Sequence, residues 1–206
     1  MEKFTQLTSV AAPLDRANVD TDQIIPKQFL LAVDRKGFGK HLFHDQRYLD
    51  EAETQENPEF VLNQPRYRQA KILVARQNFG NGSSREHAPW ALLDFGLRAI
   101  VASSFADIFN NNALGNGLLT VKLTEEEIDE IFTELAKHPD APMTIDLEQE
   151  TVKLSDRTYR FTLDPFRRHM LLEGLDAIDL TLKELPTIEA YERSIPAWRR
   201  LDSAER

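Results

Sequence analysis

Ser83, Ser84 and Arg85 follow one another directly behind the pair Gly80-x-Gly82. The glycines make positive φ and a close backbone approach cheap. The arginine supplies a planar donor fork that can hold a carboxylate at two points. A serine hydroxyl beside such donors can have its alkoxide form stabilised, which suits it to act as a base. The spacing Ser83-x-x-Glu86 is that of a capping box, placing the trio at a helix mouth, where unpaired N–H groups and partial positive charge attract anions. The same residues also suit an ordinary tight loop with a helix cap and a solvated arginine. Spacing alone leaves both open.

Asp20-x-Asp22 is a second candidate. It opens like a calcium loop but lacks the glycine and the late glutamate, so calcium is not expected. Either it is a polar turn in which Asx side chains bond their own backbone, or a rigid loop delivers a carboxylate to a site. Of the five histidines, His41, His44, His87, His138 and His169, only the first two lie close, and no carboxylate pattern accompanies them. They are expected to pack rather than to bind metal. The chain has no cysteine, which excludes disulfides and any thiolate-held zinc or iron–sulfur cluster within it. The glycine turn lacks the third glycine of a dinucleotide fingerprint and the lysine of a P-loop, so nucleotide binding is a weak reading.

These residues need elements to hold them. A first strand is expected over residues 4–14, ended by Pro13. A buried strand at 71–76 runs into the glycine turn, and the helix after Ser84 carries Trp90, Leu93 and Leu97, with Gly96 helping to end it. A strand at 98–102 follows. Ser103 or Ser104 is expected to cap the next helix, with Asp107 in the box position, and that helix should dissolve at 110–112. A strand at 118–122 completes a parallel βαβαβ core. Thr124-x-x-Glu127 caps a helix to Lys137. Segments 143–148, 151–154 and 158–163 read as an antiparallel meander. Helices are expected at 165–173, 176–183 and 187–194, with 199–206 fraying. Residues 37–39 read as a flexible tip, and 50–66 as a loop-rich excursion within one domain spanning 1–206. The class is α/β, and ligands of such sheets collect beyond the carboxyl ends of the strands.

Hydrophobic content of 41% and charged content of 29% over 206 residues suit one substantial globular domain. A net charge of −9 argues against a nucleic-acid partner. No apolar run reaches membrane-spanning length, and the first residues lack a secretory signal pattern, so a cytoplasmic protein is expected.

The stretch 78–96, with 103–109 behind it, resembles the swivel domain of the aconitase superfamily. Residues 18–26 narrow the resemblance to small subunits of 3-isopropylmalate dehydratase, and 166–169, 174–178 and 196–197 also fit. The resemblance implies a swivelling β/β/α domain that completes an active site on a separate large subunit, in a heterodimer or heterotetramer. The large subunit would carry a [4Fe–4S] cluster, and this chain would hold no cofactor or metal. The implied reaction isomerises 2-isopropylmalate to 3-isopropylmalate by dehydration and rehydration, in leucine biosynthesis. Ser83 would be the base, Asp22 part of the acid/base network, and Arg85 a catalytic residue gripping the small dicarboxylate substrate. Ser84 and Thr21 would be further substrate contacts. Asn81 stands where many family members have cysteine. Residues 31–36 would face the substrate's distinguishing group, and Arg35 is a weak candidate for a contact there. A homoaconitase-type or citramalate-type hydro-lyase, or a non-catalytic interaction module, stays open as an alternative.

Overall fold

The computed structural model describes residues 1–30, 36–196 and 199. Its described strands form one seven-stranded sheet in the order β4-β3-β2-β1-β5-β6-β7. The strands are β1 (Gln6–Pro13), β2 (Ile72–Val74), β3 (Ala99–Ala102), β4 (Leu119–Lys122), β5 (Pro142–Asp146), β6 (Thr151–Leu154) and β7 (Arg157–Arg160). The four from β1 to β4 run parallel, and β5 to β7 form the expected antiparallel meander. The parallel core and the antiparallel sheet are continuous, because β1 divides its partners along its length. Gln6 to Val10 pair antiparallel with β5 on one edge, and Ala11 to Pro13 pair parallel with β2 on the other.

Period-two alternation gives the parallel strands two buried faces. Leu73 and Ile100 point into one cluster, whereas Ile72, Val74, Ala99 and Val101 point into the other. The helices are α1 (Thr21–Ile24), α2 (His44–Arg47), α3 (His87–Phe95), α4 (Asp107–Gly115), α5 (Glu125–Lys137), α6 (Pro165–Glu173), α7 (Ala177–Lys183) and α8 (Leu185–Ser194). Helix α5 covers the second face with Ile128, Ile131 and Leu135. The first face is covered by α3 together with the irregular segment between β1 and β2, through Phe38, Leu42, Phe43, Phe60 and Leu62. Turns and single-turn helices make up most of 50–66, which nevertheless supplies part of the core.

Two helix starts differ from the sequence reading. Helix α3 begins at His87 and its N-cap, Glu86, has helical φ and ψ with no side-chain capping bond, so no box forms from Ser83. Helix α4 begins at Asp107 behind Ala106, and neither Ser103 nor Ser104 caps it. The reason at Ser104 is competition: its Oγ accepts the N–H of Asn78, 2.8 Å away. Helix α4 also continues through Asn110, Asn111 and Asn112. Asn110 Oδ1 accepts from the Thr120 hydroxyl at 2.6 Å, a tertiary bond that removes its competition with the helix backbone. Gly96 ends α3 in the left-handed region, so Leu97 lies beyond the helix, and the buried face is Ala88, Pro89, Ala91 and Leu92.

The expected flexible tip is instead tied down. Gly37 and Gly39 both donate their N–H groups to Asp94 Oδ2, at 2.9 and 2.8 Å. Phe38 is buried against the His87 and Trp90 rings, which also contact each other. A Cβ on Gly39 would collide with the backbone of Asp94 and Phe95. Residues 31–35, with Arg35, and all of 200–206 lie outside the described residues.

Candidate functional site

The loops leaving β1, β2 and β3 stay side by side beyond the carboxyl ends of their strands. Gly80 N–H donates to Val19 O at 2.7 Å and Thr21 N–H to Asn81 O at 2.8 Å. Phe79 N–H donates to Ser104 O, and Ala106 N–H returns to Phe79 O. Asn18 and Asn78 both adopt left-handed backbone, and their side chains hydrogen-bond each other at 2.8 Å. At Gly80 the glycine is required twice: φ is +79°, and a Cβ there would run into the Phe109 ring of α4.

The two aspartates of the doublet have different partners. Asp20 caps α1, its Oδ1 accepting from Gln23 N–H at 2.7 Å. Asp22 turns outward and pairs with Arg85, Oδ1 to Nη1 at 2.6 Å. The Arg85 side chain is only 13% exposed, and its Nη1 also donates to the carbonyl of Ile25 at 3.2 Å. Among the described residues its Nε and Nη2 make no hydrogen bond, so part of the fork remains available for a carboxylate.

Ser83 and Ser84 are exposed beside this pair. Their setting is a loop rather than a helix mouth, because α3 starts only at His87. An anion at this patch would therefore meet Arg85 and the loop's own donors rather than the first turn of α3. Thr21, expected as a substrate contact, is 2% exposed, and its hydroxyl donates to the Ser83 carbonyl at 2.9 Å. Its Oγ1 lies 3.4 Å from where a Cβ on Gly82 would sit. The structure thus gathers Ser83, Ser84, Arg85, Thr21 and Asp22 from two loops into one patch. Its chemistry is that of a carboxylate grip next to exposed hydroxyls.

Sequence reasoning missed a cluster in the segment between β1 and β2. Glu53, its side chain 4% exposed, receives the Lys40 ammonium at 2.7 Å and pairs with His41, while His44 Nε2 lies 3.6 Å away. The Phe29 ring stacks on His41. Burial pulls the Glu53 carboxyl up, but the hydrogen bonds and charges of Lys40 and His41 outweigh it and hold the group below its ordinary value. The histidine pair thus does have a carboxylate, delivered by tertiary folding from a position no local pattern marks. Among the described residues, no three His, Asp or Glu side chains are grouped to hold a metal ion, and no helix is long and apolar enough to cross a membrane.

A profile of the aconitase C-terminal domain matches residues 1–126, which include both loops of the patch. A second profile, described as LeuD_N, matches residues 129–165. The chain belongs to the aconitase C-terminal domain family. Among solved structures it is similar to the crystal structure of 3-isopropylmalate dehydratase (leuD) from Methanocaldococcus jannaschii. The two are 26% identical with a TM-score of 0.65, over 91% of this chain and 99% of that one.

Proposed function

We propose that this chain is the small subunit of 3-isopropylmalate dehydratase, a cytoplasmic hydro-lyase of leucine biosynthesis that is active only with a large subunit. The observation that carries the reading is the patch itself. Family membership and likeness to a dehydratase coincide there with an arginine held half-free beside two exposed serines, beyond the carboxyl ends of parallel strands. The chain offers no thiolate for a [4Fe–4S] cluster, which would reside on the large subunit and supply Lewis acidity toward the leaving hydroxyl.

In this reading the free part of the Arg85 fork binds a substrate carboxylate, and Asp22 holds the guanidinium against the loop. Ser83 Oγ, as alkoxide, removes the proton on the carbon beside a carboxylate. The hydroxyl on the adjacent carbon departs, and a carbon–carbon double bond forms between the two. Addition of water in the opposite sense gives the isomer, with Ser83 returning the proton. A serine hydroxyl ionises far above neutral pH, so positively polarised neighbours must stabilise the alkoxide, and Arg85, two residues further along the same loop, is the cation this reading assigns to that task. The Ser84 hydroxyl donates to substrate. The exposure of Ser83 and Ser84 supports a site that a second chain must close.

The test is anaerobic reconstitution with the cognate cluster-bearing large subunit, following the unsaturated intermediate by ultraviolet absorbance from 3-isopropylmalate. Activity in the mixture and in neither subunit alone is the expected result. A properly formed complex that turns over a different malate-like acid, and not 3-isopropylmalate, would overturn the substrate assignment.

A further inference from the structure

Thr21 is the most enclosed polar side chain of the patch, and its hydroxyl is committed to a main-chain atom of the candidate base. We infer that Thr21 is a positioning residue that sets the plane of the Ser83–Ser84 peptide, so that the Ser84 N–H faces the open side of the site as a donor for a substrate carboxylate oxygen. This inference rests on the function proposed above.

The argument begins with peptide geometry. In a trans peptide the C=O and the following N–H point in opposite directions, and the described chain contains no cis peptide. The Ser83 carbonyl points inward to Thr21 Oγ1 at 2.9 Å, so the Ser84 N–H must point outward. Ser84 is exposed, and its N–H makes no hydrogen bond among the described residues. Donation into the carbonyl also polarises the peptide and strengthens the N–H on its far side.

Thr21 is itself fixed. Its own N–H donates to Asn81 O at 2.8 Å, within the bridge between Asp20 and Asn81 that joins the two loops. The residue between Asn81 and Ser83 is Gly82, with φ +92° and its α-carbon turned toward the Thr21 hydroxyl. The next residue after Thr21 is Asp22, the partner of Arg85. One buried threonine therefore registers the loop carrying the carboxylate of the ion pair against the loop carrying the base and the arginine.

Three variants test this in the reconstituted complex: Thr21→Val, Thr21→Ser and the double variant Thr21→Val with Ser83→Ala. Thermal midpoint and affinity for the large subunit are measured alongside. Thr21→Val keeps the shape and removes the hydroxyl; kcat/KM should fall about 10- to 100-fold at saturating large subunit, with part of the loss in KM because a donor to the substrate carboxylate is turned away. Thr21→Ser should return kcat/KM to within about threefold of wild type. Because Ser83→Ala leaves the Ser84 N–H in place, the double variant should lose rate beyond Ser83→Ala alone, by about the factor that Thr21→Val loses by itself. A full-rate Thr21→Val, a serine variant as slow as the valine, or a double variant no slower than Ser83→Ala alone would each overturn the inference. So would a loss of rate that disappears when the variant is refolded or saturated with partner. Ser83→Ala at full rate would instead remove the assigned base, a failure of the function reading that the single variant identifies by itself.

Discussion

Two groups of helix starts in this molecule obey local sequence rules to different degrees. Behind the edge strand β4, the capping pattern Thr124-x-x-Glu127 forms both of its reciprocal bonds at the start of α5. Asp164 likewise caps α6, and Asp176 with Asp179 boxes α7. Behind β2 and β3, the similar patterns Ser83-x-x-Glu86 and Ser104-x-x-Asp107 cap nothing. The residue types and spacings are equivalent, so the difference lies in what else competes for the serines. Beside α5 the box faces solvent and its own helix. Behind β1, β2 and β3 the three loops lie against one another, and their polar groups bond across the gaps: Asn78 N–H to Ser104 Oγ, Thr21 Oγ1 to Ser83 O. Capping potential not used for a helix is available for a site.

Variants can break or sharpen this contrast. The largest effect is expected from Ser83→Ala, which should lower kcat in the complex by about 10² to 10⁴ while leaving the thermal midpoint nearly unchanged. A stability loss with little loss of rate would make Ser83 a structural residue like Thr124. Gly80→Ala should destabilise the free subunit by about 3 kcal/mol or more, because it combines left-handed strain with a clash against Phe109; urea unfolding checks this. Thr124→Ala should cost about 1 kcal/mol in the same assay and leave kcat of the complex unaltered. Equal kinetic and stability effects at Ser83 and Thr124 would erase the distinction between the two groups of helix starts.

The smallest expected effect concerns Glu53. Its carboxyl is held below the ordinary value of 4.5 in the folded chain, so the stabilisation it brings is complete above that value and is lost as pH falls through the lower folded value. Thermal midpoints taken at about pH 6 and about pH 3.5 should therefore drop further for wild type than for Glu53→Gln. An equal drop would show that the Lys40 and His41 contacts do not favour the ionised form.

Much of the scaffold was legible because its signals are local. The parallel strands read as short apolar runs, the meander as alternating segments, and α5 as an amphipathic stretch with a cap at its head. The glycines at 80 and 82 marked the turn, and the serine–serine–arginine run behind them marked the patch. The partner of that patch was half legible: the doublet at Asp20 and Asp22 was visible as polar, but not which carboxylate would cap and which would pair. The flexible reading of 37–39 failed because glycine-rich composition reports backbone freedom and says nothing about an acceptor. Asp94, far along the chain, provides one for two N–H groups.

By itself the sequence determined the α/β class, the order of the main elements, and the absence of any thiolate that could hold a cluster on this chain. These depend on periodicity and residue type, which are properties of the chain alone. Only the tertiary structure decided that β1 joins both half-sheets, that the segment between β1 and β2 covers a face of the core, and that Thr21 is buried against the Ser83 carbonyl. Those outcomes depend on which hydrogen-bonding groups meet across space, and a donor chooses its acceptor by distance and burial rather than by position along the chain.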